Sequence, residues 1–471
     1  MRRVIVVAML VAAVAALLPA AVGLYLQQRW DRLLEHVAAR GYRLTAREYQ
    51  LGWARSEARV EVAPPADADD EPTRLGIGLR LDHGYERWLG GGSPRLAAFS
   101  GRATVLGGPR PLPPLVVGGT LGLLGGLDGT LRVPDVTYSG AVGQLHFVAG
   151  SGVFRRGPDG RLQVSGSLDA LEAEAPDGRK LRLEGLGFAL RLADAQASLP
   201  LGELSVTLGA LSLDASAAQP ALALGELEAA LASALDGAAA AIRVDASVAA
   251  LTLGSHTYAP SGGELLVEGL RAPALVGLRA RLAALDAAAL APSQRGAALA
   301  QIATAALPEL LGGEPRLRLR ALRITTPYGE LAADADLGLA PPSAPAGGAE
   351  GQISAGGEPL SALTARLTGT VEVSGPQALV VALITGEQTR RVRAELALRG
   401  EPADHLSPAL AADLDAAAQA SARRLLREGW LVAEQGRLLA RLSLERGTLE
   451  LNGKAIAVAD WLAPGAPPGA P

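Results

Sequence analysis

The chain is poor in the residue types that most often carry chemistry. Its 471 residues include no cysteine and two methionines, and aromatic residues make up only 3%. The lack of cysteine excludes disulfides and thiolate chemistry in any compartment. The 44 basic and 48 acidic residues give a net charge of −4 and are interspersed, without the basic stripe typical of nucleic-acid-binding proteins. The sequence therefore indicates no nucleic-acid partner.

Motifs for catalysis or metal binding are also missing. No histidine has a second histidine at metal-binding spacing, so all five are interpreted as isolated surface or strand residues. They are His36, His83, His146, His256 and His405. The segment Gly52–Ser56 is not a Gly-x-Ser-x-Gly elbow, and the glycine-rich run 118–126 lacks the Lys-Ser/Thr of a P-loop. We predict no catalytic residue, no cofactor and no metal site, and expect a protein that is not an enzyme.

One long uncharged run, Val4–Leu26, lies at the start of the chain. It is long enough to cross a hydrocarbon core of roughly 30 Å as a helix. Arg2 and Arg3 precede it, which favours a cytoplasmic N-terminus and a periplasmic body. A cleaved signal peptide ending near Pro19–Gly23 and a buried soluble helix are the alternatives. We predict a single-pass anchor in a bacterial inner membrane.

After this run, alternation of apolar and polar residues dominates and predicts strands. The expected fold is mainly β with some α: a transmembrane helix followed by an elongated antiparallel sheet with a few helices. The residues from His83 to Trp88 suggest a short exposed helix, and residues 107–129, rich in glycine and proline, an irregular segment.

These patterns divide the chain into five regions. The first is an anchor or signal at 1–29, and the second is a helical stalk and β-rich region at 30–339 with a helical insert near 282–311. A linker or loop follows at 340–359. The fourth is a β region at 360–462 with an amphipathic helix at 407–428 and a closing hairpin, and the fifth is a disordered tail at 463–471.

Three short motifs resemble one family. The strand with Tyr49, Gly52 and Ser56, the turn at Gly329, and the closing hairpin with Gly429, Asn452 and Gly453 are similar to the YdgA-like family of bacterial envelope proteins, a domain of unknown function. The resemblance implies an inner-membrane-anchored periplasmic β-rich protein and gives these seven residues structural roles. In architecture alone, the chain is similar to AsmA-like envelope proteins, whose long sheets carry lipid.

Three functional hypotheses follow. The first is a non-enzymatic envelope protein that binds a protein or an apolar or lipid ligand beside the inner membrane. The second is a structural or assembly factor whose sheet edges pair with partner strands or with a second copy, giving a homo-oligomer. The third, an enzyme with an unfamiliar site, has the least support. Retained lipid in the purified protein would distinguish the first two.

Overall fold

The computed structural model shows a mainly β protein in which every strand pairing among the described residues is antiparallel. It describes residues 2–39, 41–63, 74–84, 95–106, 112–140, 143–195, 197–215, 220–287, 292–340, 366–398, 407–445 and 448–457. The predicted linker beyond residue 340, the tail, and Tyr85, Arg87 and Trp88 lie outside these ranges. Residues 1–214 with 276–304 form one compact unit (unit 1), and residues 215–275 with 305–471 form another (unit 2).

Unit 1 begins with a long helix, α1 (Arg2–Ala39), whose side chains are described from Leu18 onward, except that of His36. Gly41 follows with φ +87°, a left-handed conformation that commonly ends a helix. Among the residues that the structure describes, no helix is both long and apolar enough to cross a membrane.

The strands of unit 1 form one antiparallel ladder, β1-β2-β3-β4-β5-β6-β9-β10-β11-β12, to which the β7–β8 hairpin is added through β8 and β10. Their bounds are β1 Arg43–Gln50, β2 Arg55–Ala63, β3 Arg74–Asp82, β4 Arg95–Leu106, β5 Leu115–Gly122, β6 Leu127–Val133, β7 Val136–Gly140, β8 Gly143–Phe147, β9 Gly150–Arg156, β10 Leu162–Glu174, β11 Lys180–Leu192 and β12 Gly202–Leu213.

The prediction of an irregular segment at 107–129 is wrong for its described part. Strand β5 and the start of β6 occupy it, although glycine normally weakens strands. Gly119 and Gly129 are cross-strand partners, and a Cβ at either would meet a phenylalanine ring, of Phe99 or Phe154 respectively. Glycine is therefore needed there, because aromatic rings from the neighbouring strands lie over the backbone.

Unit 2 contains the ladder β13-β14-β16-β17-β18-β19-β21-β22-β23, with β15 paired to β14 and β20 paired to β21. The bounds are β13 Leu222–Asp236, β14 Ala239–Leu253, β15 His256–Thr257, β16 Ser261–Arg271, β17 Arg316–Thr326, β18 Gly329–Leu339, β19 Leu367–Pro376, β20 Val432–Glu434, β21 Arg437–Glu445, β22 Thr448–Leu451 and β23 Lys454–Ala457.

Four further helices follow β16. Helices α2 (Ala272–Ala287) and α3 (Pro292–Leu310) occupy the alanine-rich stretch where helices were predicted, and α2 begins earlier than expected. In unit 2, α4 (Gln377–Leu398) packs against α5 (Pro408–Arg427), and α4 also contacts β18, β19 and β21. Ser407 caps α5 by accepting a hydrogen bond from the Leu410 amide.

Candidate functional site

The second half of α1 lies on the first strands of unit 1. Its buried residues Val22, Leu26, Trp30 and Leu34 recur every four positions, as one stripe of a helix does. Trp30 and Leu34 pack with Ala58 and Val60 of β2, whereas Val22 and Leu26 pack with Ala97 of β4. The end of the apolar run predicted to lie in a membrane is therefore buried against the sheet.

A polar pair is buried below this helix. Ser56 and His83 are the only buried polar residues among those the structure describes, and the Ser56 Oγ lies 3.0 Å from the His83 Nε2. They meet because Ser56 pairs with Leu81 across β2 and β3, and His83 follows two residues later. Beside them, Arg55 donates a hydrogen bond to Asp82 at 2.7 Å. We call Ser56, His83, Tyr49 and Gly23 the helix clasp.

Gly23 lets α1 approach the pair closely. A Cβ at Gly23 would lie 2.9 Å from the His83 Cε1 and 2.7 Å from the Leu51 Cδ1. The Tyr49 hydroxyl donates a hydrogen bond to the Gly23 carbonyl at 3.1 Å. Gly52 makes the preceding turn possible, because a Cβ there would clash with the Arg55 carbonyl. The motif residues Tyr49, Gly52 and Ser56 thus form part of the surface on which α1 packs.

The clasp favours a neutral histidine. Burial lowers the pKa of His83, which outweighs the opposite influence of the Pro19 main chain and the Asp82 carboxylate. Its other ring nitrogen, Nδ1, is buried without a hydrogen-bond partner of good geometry. Burial likewise raises the pKa of Tyr49, an effect that the Ser56 hydroxyl partly offsets. A proton on His83 would therefore destabilise the contact between helix and sheet.

The prediction that His83 is an isolated surface or strand histidine is wrong. The pairing joins residues far apart in the sequence, so no local motif reveals it. His146, in contrast, is partly exposed and lies 3.1 Å from Asp135. His256 is exposed in β15, and His405 lies outside the described residues.

Beyond α1, the unit 1 sheet has one apolar face. Directly opposite residues on neighbouring strands share a face, so the cross-strand register defines it. Two adjacent rows cross the ladder and form what we call the apolar face: Leu79, Gly101, Val117, Leu131, Gly152, Gly166, Phe188 and Val206, and Leu81, Phe99, Gly119, Gly129, Phe154, Val164, Leu190 and Leu204.

Only one end of the apolar face is covered by α1. Near α1, Ala58, Val60 and Ala97 are buried. On β10–β12, Val164 and Leu190 are half-buried, and Phe188 and Leu204 are 41% and 38% exposed. An apolar surface of this extent marks a site for another molecule more often than a free surface does.

The opposite face of the same sheet is polar. Arg155 and Asp128 form an ion pair at 2.6 Å, and threonine and serine side chains occupy neighbouring positions. A hollow of about 770 Å³ on this side is lined by side chains such as Gln163 and Arg191. Because these polar side chains are well solvated by water, the apolar face is the candidate binding surface.

The remaining motif residues lie in unit 2. The Asn452 side chain donates to the Trp430 carbonyl at 2.9 Å and to the Leu439 carbonyl at 3.3 Å, and accepts from the Arg441 amide at 2.9 Å. Asn452 (φ +50°) and Gly453 (φ +79°) form the left-handed turn after β22. We call Asn452 and the groups that it bonds the asparagine knot.

Gly429 and Gly329 serve the backbone as well. Gly429 follows α5 with a left-handed backbone (φ +70°). The next residue is Trp430, and the Lys454 Nζ lies 4.8 Å from the centre of its ring. Gly329 has φ +112° in the turn before β18, and the Thr326 hydroxyl donates to its carbonyl at 2.7 Å. These motif positions determine turns.

Fold and site together define a mainly antiparallel β protein with a long N-terminal helix clasped to its sheet. The chain belongs to the family described as "Bacterial protein of unknown function (DUF945)", whose model matches residues 1–459. Neither the curated proteins nor the solved structures contain a match. The narrower likeness to YdgA-like proteins stays a prediction.

Proposed function

We propose that this chain is a non-enzymatic envelope protein, anchored in the bacterial inner membrane by α1, whose periplasmic sheet binds an acyl chain of a lipid. The observation that carries the proposal is the apolar face of unit 1, which extends over β9–β12 beyond the region that α1 covers. Burying such side chains against a ligand is favourable by about 25 cal/mol per Å² of apolar area.

The arrangement of side chains on the apolar face suits an acyl chain. The rings of Phe99, Phe154 and Phe188 lie against glycines, since a Cβ at Gly119, Gly129 or Gly166 would meet them. Rings that fill the space above glycine leave a smooth apolar surface without polar groups. A flexible hydrocarbon chain, which needs no hydrogen-bond partner, matches this surface.

The anchor is supported by the sequence of α1. Val22 and Leu26 contact the sheet and Pro19 is also buried, so the part of the run available to a bilayer is Val4–Leu18. At about 1.5 Å per residue, this segment would extend about 22 Å, and a bilayer thins locally around a segment shorter than its hydrocarbon core. Arg2 and Arg3 at its start favour a periplasmic body.

The edge strand β1 offers a poor template for strand pairing. It contains charged residues such as Arg47 and Glu48, and a register shift between Thr45 and Glu48 interrupts its pairing with β2. Charges and bulges are the devices by which natural sheets protect their edges. Lipid binding is therefore preferred over assembly through this edge.

The test is lipid analysis of the full chain, purified in detergent and examined by mass spectrometry. A truncation at residue 30 is unsuitable, because it removes Val22, Gly23 and Leu26 from the clasped helix. We expect co-purified phospholipid at a fixed ratio to protein. Phe188→Asp, on the apolar face, is expected to abolish it.

Val153→Asp is the matched control, since Val153 is also an exposed apolar residue but belongs to the polar face, next to Phe154 on β9. It should retain wild-type lipid. Protein that carries no lipid, or equal loss in both variants, would contradict the proposal.

A further inference from the structure

The β1–β2 turn lies beside the point where α1 leaves the sheet. Asp31 of α1 pairs with Arg47, and Gly23 lies against Tyr49 and Leu51, so α1 runs antiparallel to β1. The direction towards the N-terminus of α1 is therefore also the direction of the turn at residues 51–54. Within this turn, Leu51 and Trp53 are exposed.

The β5–β6 turn lies at the same end of the sheet. Gly122, at the end of β5, pairs with Arg95 at the start of β4, and Arg55 at the start of β2 pairs with Asp82 at the end of β3. Leu121 packs with Val22 and Leu26 of α1. After Gly122, at the tip of the turn, Leu123 and Leu124 are 60% and 82% exposed.

Farther along the same end of the sheet, the β9–β10 turn carries an Arg161–Asp159 ion pair at 3.2 Å, whereas the β10–β11 turn lies at the opposite end of the strands. The β10–β11 turn contains Asp177 and Arg179, which pair at 2.6 Å, and Lys180 lies 3.5 Å from Glu174. Such a turn favours water. Leucine and tryptophan at the tips of two turns are unfavourable in water, whereas tryptophan prefers the boundary between membrane and water.

We infer that the tips of the β1–β2 and β5–β6 turns insert into the lipid leaflet that α1 enters. Leu51, Trp53, Leu123 and Leu124 form this membrane-facing edge, which would hold unit 1 upright on the bilayer with its apolar face beginning at the lipid. The inference rests on the proposed anchor, because α1 determines which end of unit 1 faces the membrane.

The absence of cysteine makes a direct test simple. The full chain carries one introduced cysteine, labelled with an environment-sensitive fluorophore and reconstituted into vesicles of phosphatidylethanolamine and phosphatidylglycerol. A fraction of the lipid carries a nitroxide on its acyl chain as a quencher. The positions are Trp53→Cys and Leu124→Cys, with Val153→Cys as control, since Trp53 and Val153 are both 55% exposed.

We expect labels at 53 and 124 to lose most of their fluorescence and the label at 153 to keep it. A fourth variant, Leu10→Cys, reports on the anchor. If the label at 10 is quenched and those at 53 and 124 behave like the label at 153, the membrane-facing edge is refuted while the anchor stands. If the label at 10 is also unquenched, the anchor fails and the inference with it.

Discussion

The helix clasp and the asparagine knot each hold neighbouring elements together, but the clasp uses a titratable side chain and the knot an uncharged one. The clasp joins α1 to the sheet through a buried histidine with one unpartnered nitrogen, and burial lowers the pKa of this histidine. The knot uses an uncharged amide whose oxygen and nitrogen both have backbone partners. The comparison teaches that this chain holds its elements together by one contact that should respond to pH and by one that should not.

Gly23→Leu should have the largest effect, because it forces α1 away from the clasp. The new side chain would occupy the space of the His83 ring and the Leu51 side chain. Overpacking of this kind costs about 1–3 kcal/mol, and more where the helix separates from the sheet. Thermal unfolding and limited proteolysis at Arg32 measure the loss. Leu24→Ala, at an exposed neighbouring position, is the control and should change little.

Asn452→Ala should come next, with a loss of about 1–2 kcal/mol, since it leaves partly buried backbone groups without partners. Asn452→Gly separates the two contributions, because glycine keeps the left-handed backbone (φ +50°) but loses the hydrogen bonds. We expect urea unfolding to rank wild type, then glycine, then alanine. Equal stability of wild type and the glycine variant would show that the side-chain hydrogen bonds contribute nothing.

Sequence patterns predicted those parts of the molecule that depend on local signals. The alternation in β2 and the amphipathic pattern of α5 correspond to elements in the structure. The strands around Gly119 were mispredicted, because their glycines are explained by aromatic rings from other strands. Helix α4 has no predicted counterpart, and its Val-Val and Ile-Thr pairs favour strands, so tertiary packing decides its structure.

The candidate site was predicted only in part for the same reason. Tyr49, Gly52 and Ser56 were recognised as structural positions, but nothing near His83 indicates that it meets Ser56. The pairing depends on the register of β2 and β3, which brings Ser56 opposite Leu81. The apolar face also depends on register, since it assembles alternate residues from many strands.

Acidification should weaken the clasp and leave the knot unchanged. The pKa of His83 is lowered in the folded protein, so the unfolded chain binds the proton more readily. The clasp therefore contributes its full stability above about pH 6.5, the ordinary value for histidine, and loses it as the pH falls below that value. Asp82 and Tyr49 are the titratable groups near the ring, and Asp82 is held by Arg55.

The measurement is hydrogen exchange of residues 22–34 of α1 at pH 7.5 and at pH 5.5, with residues 437–444 of β21 as internal reference. We expect faster exchange of the helix at the lower pH and little change in β21. His83→Gln keeps a donor and acceptor without titrating in this range and should remove the difference. A helix whose protection does not depend on pH would refute a protonation-sensitive clasp.

Of the four changes predicted here, Lys454→Met should have the smallest effect, and it tests whether the asparagine knot is independent of pH. The ammonium group lies 4.8 Å from the centre of the Trp430 ring, and this attraction contributes about 0.5–1 kcal/mol at an exposed site. Methionine keeps the apolar packing on Trp430 and removes only the charge. We expect a slight decrease in urea midpoint that is the same at pH 7.5 and pH 5.5. A decrease that grows at the lower pH would show that the knot, too, contains a group that titrates.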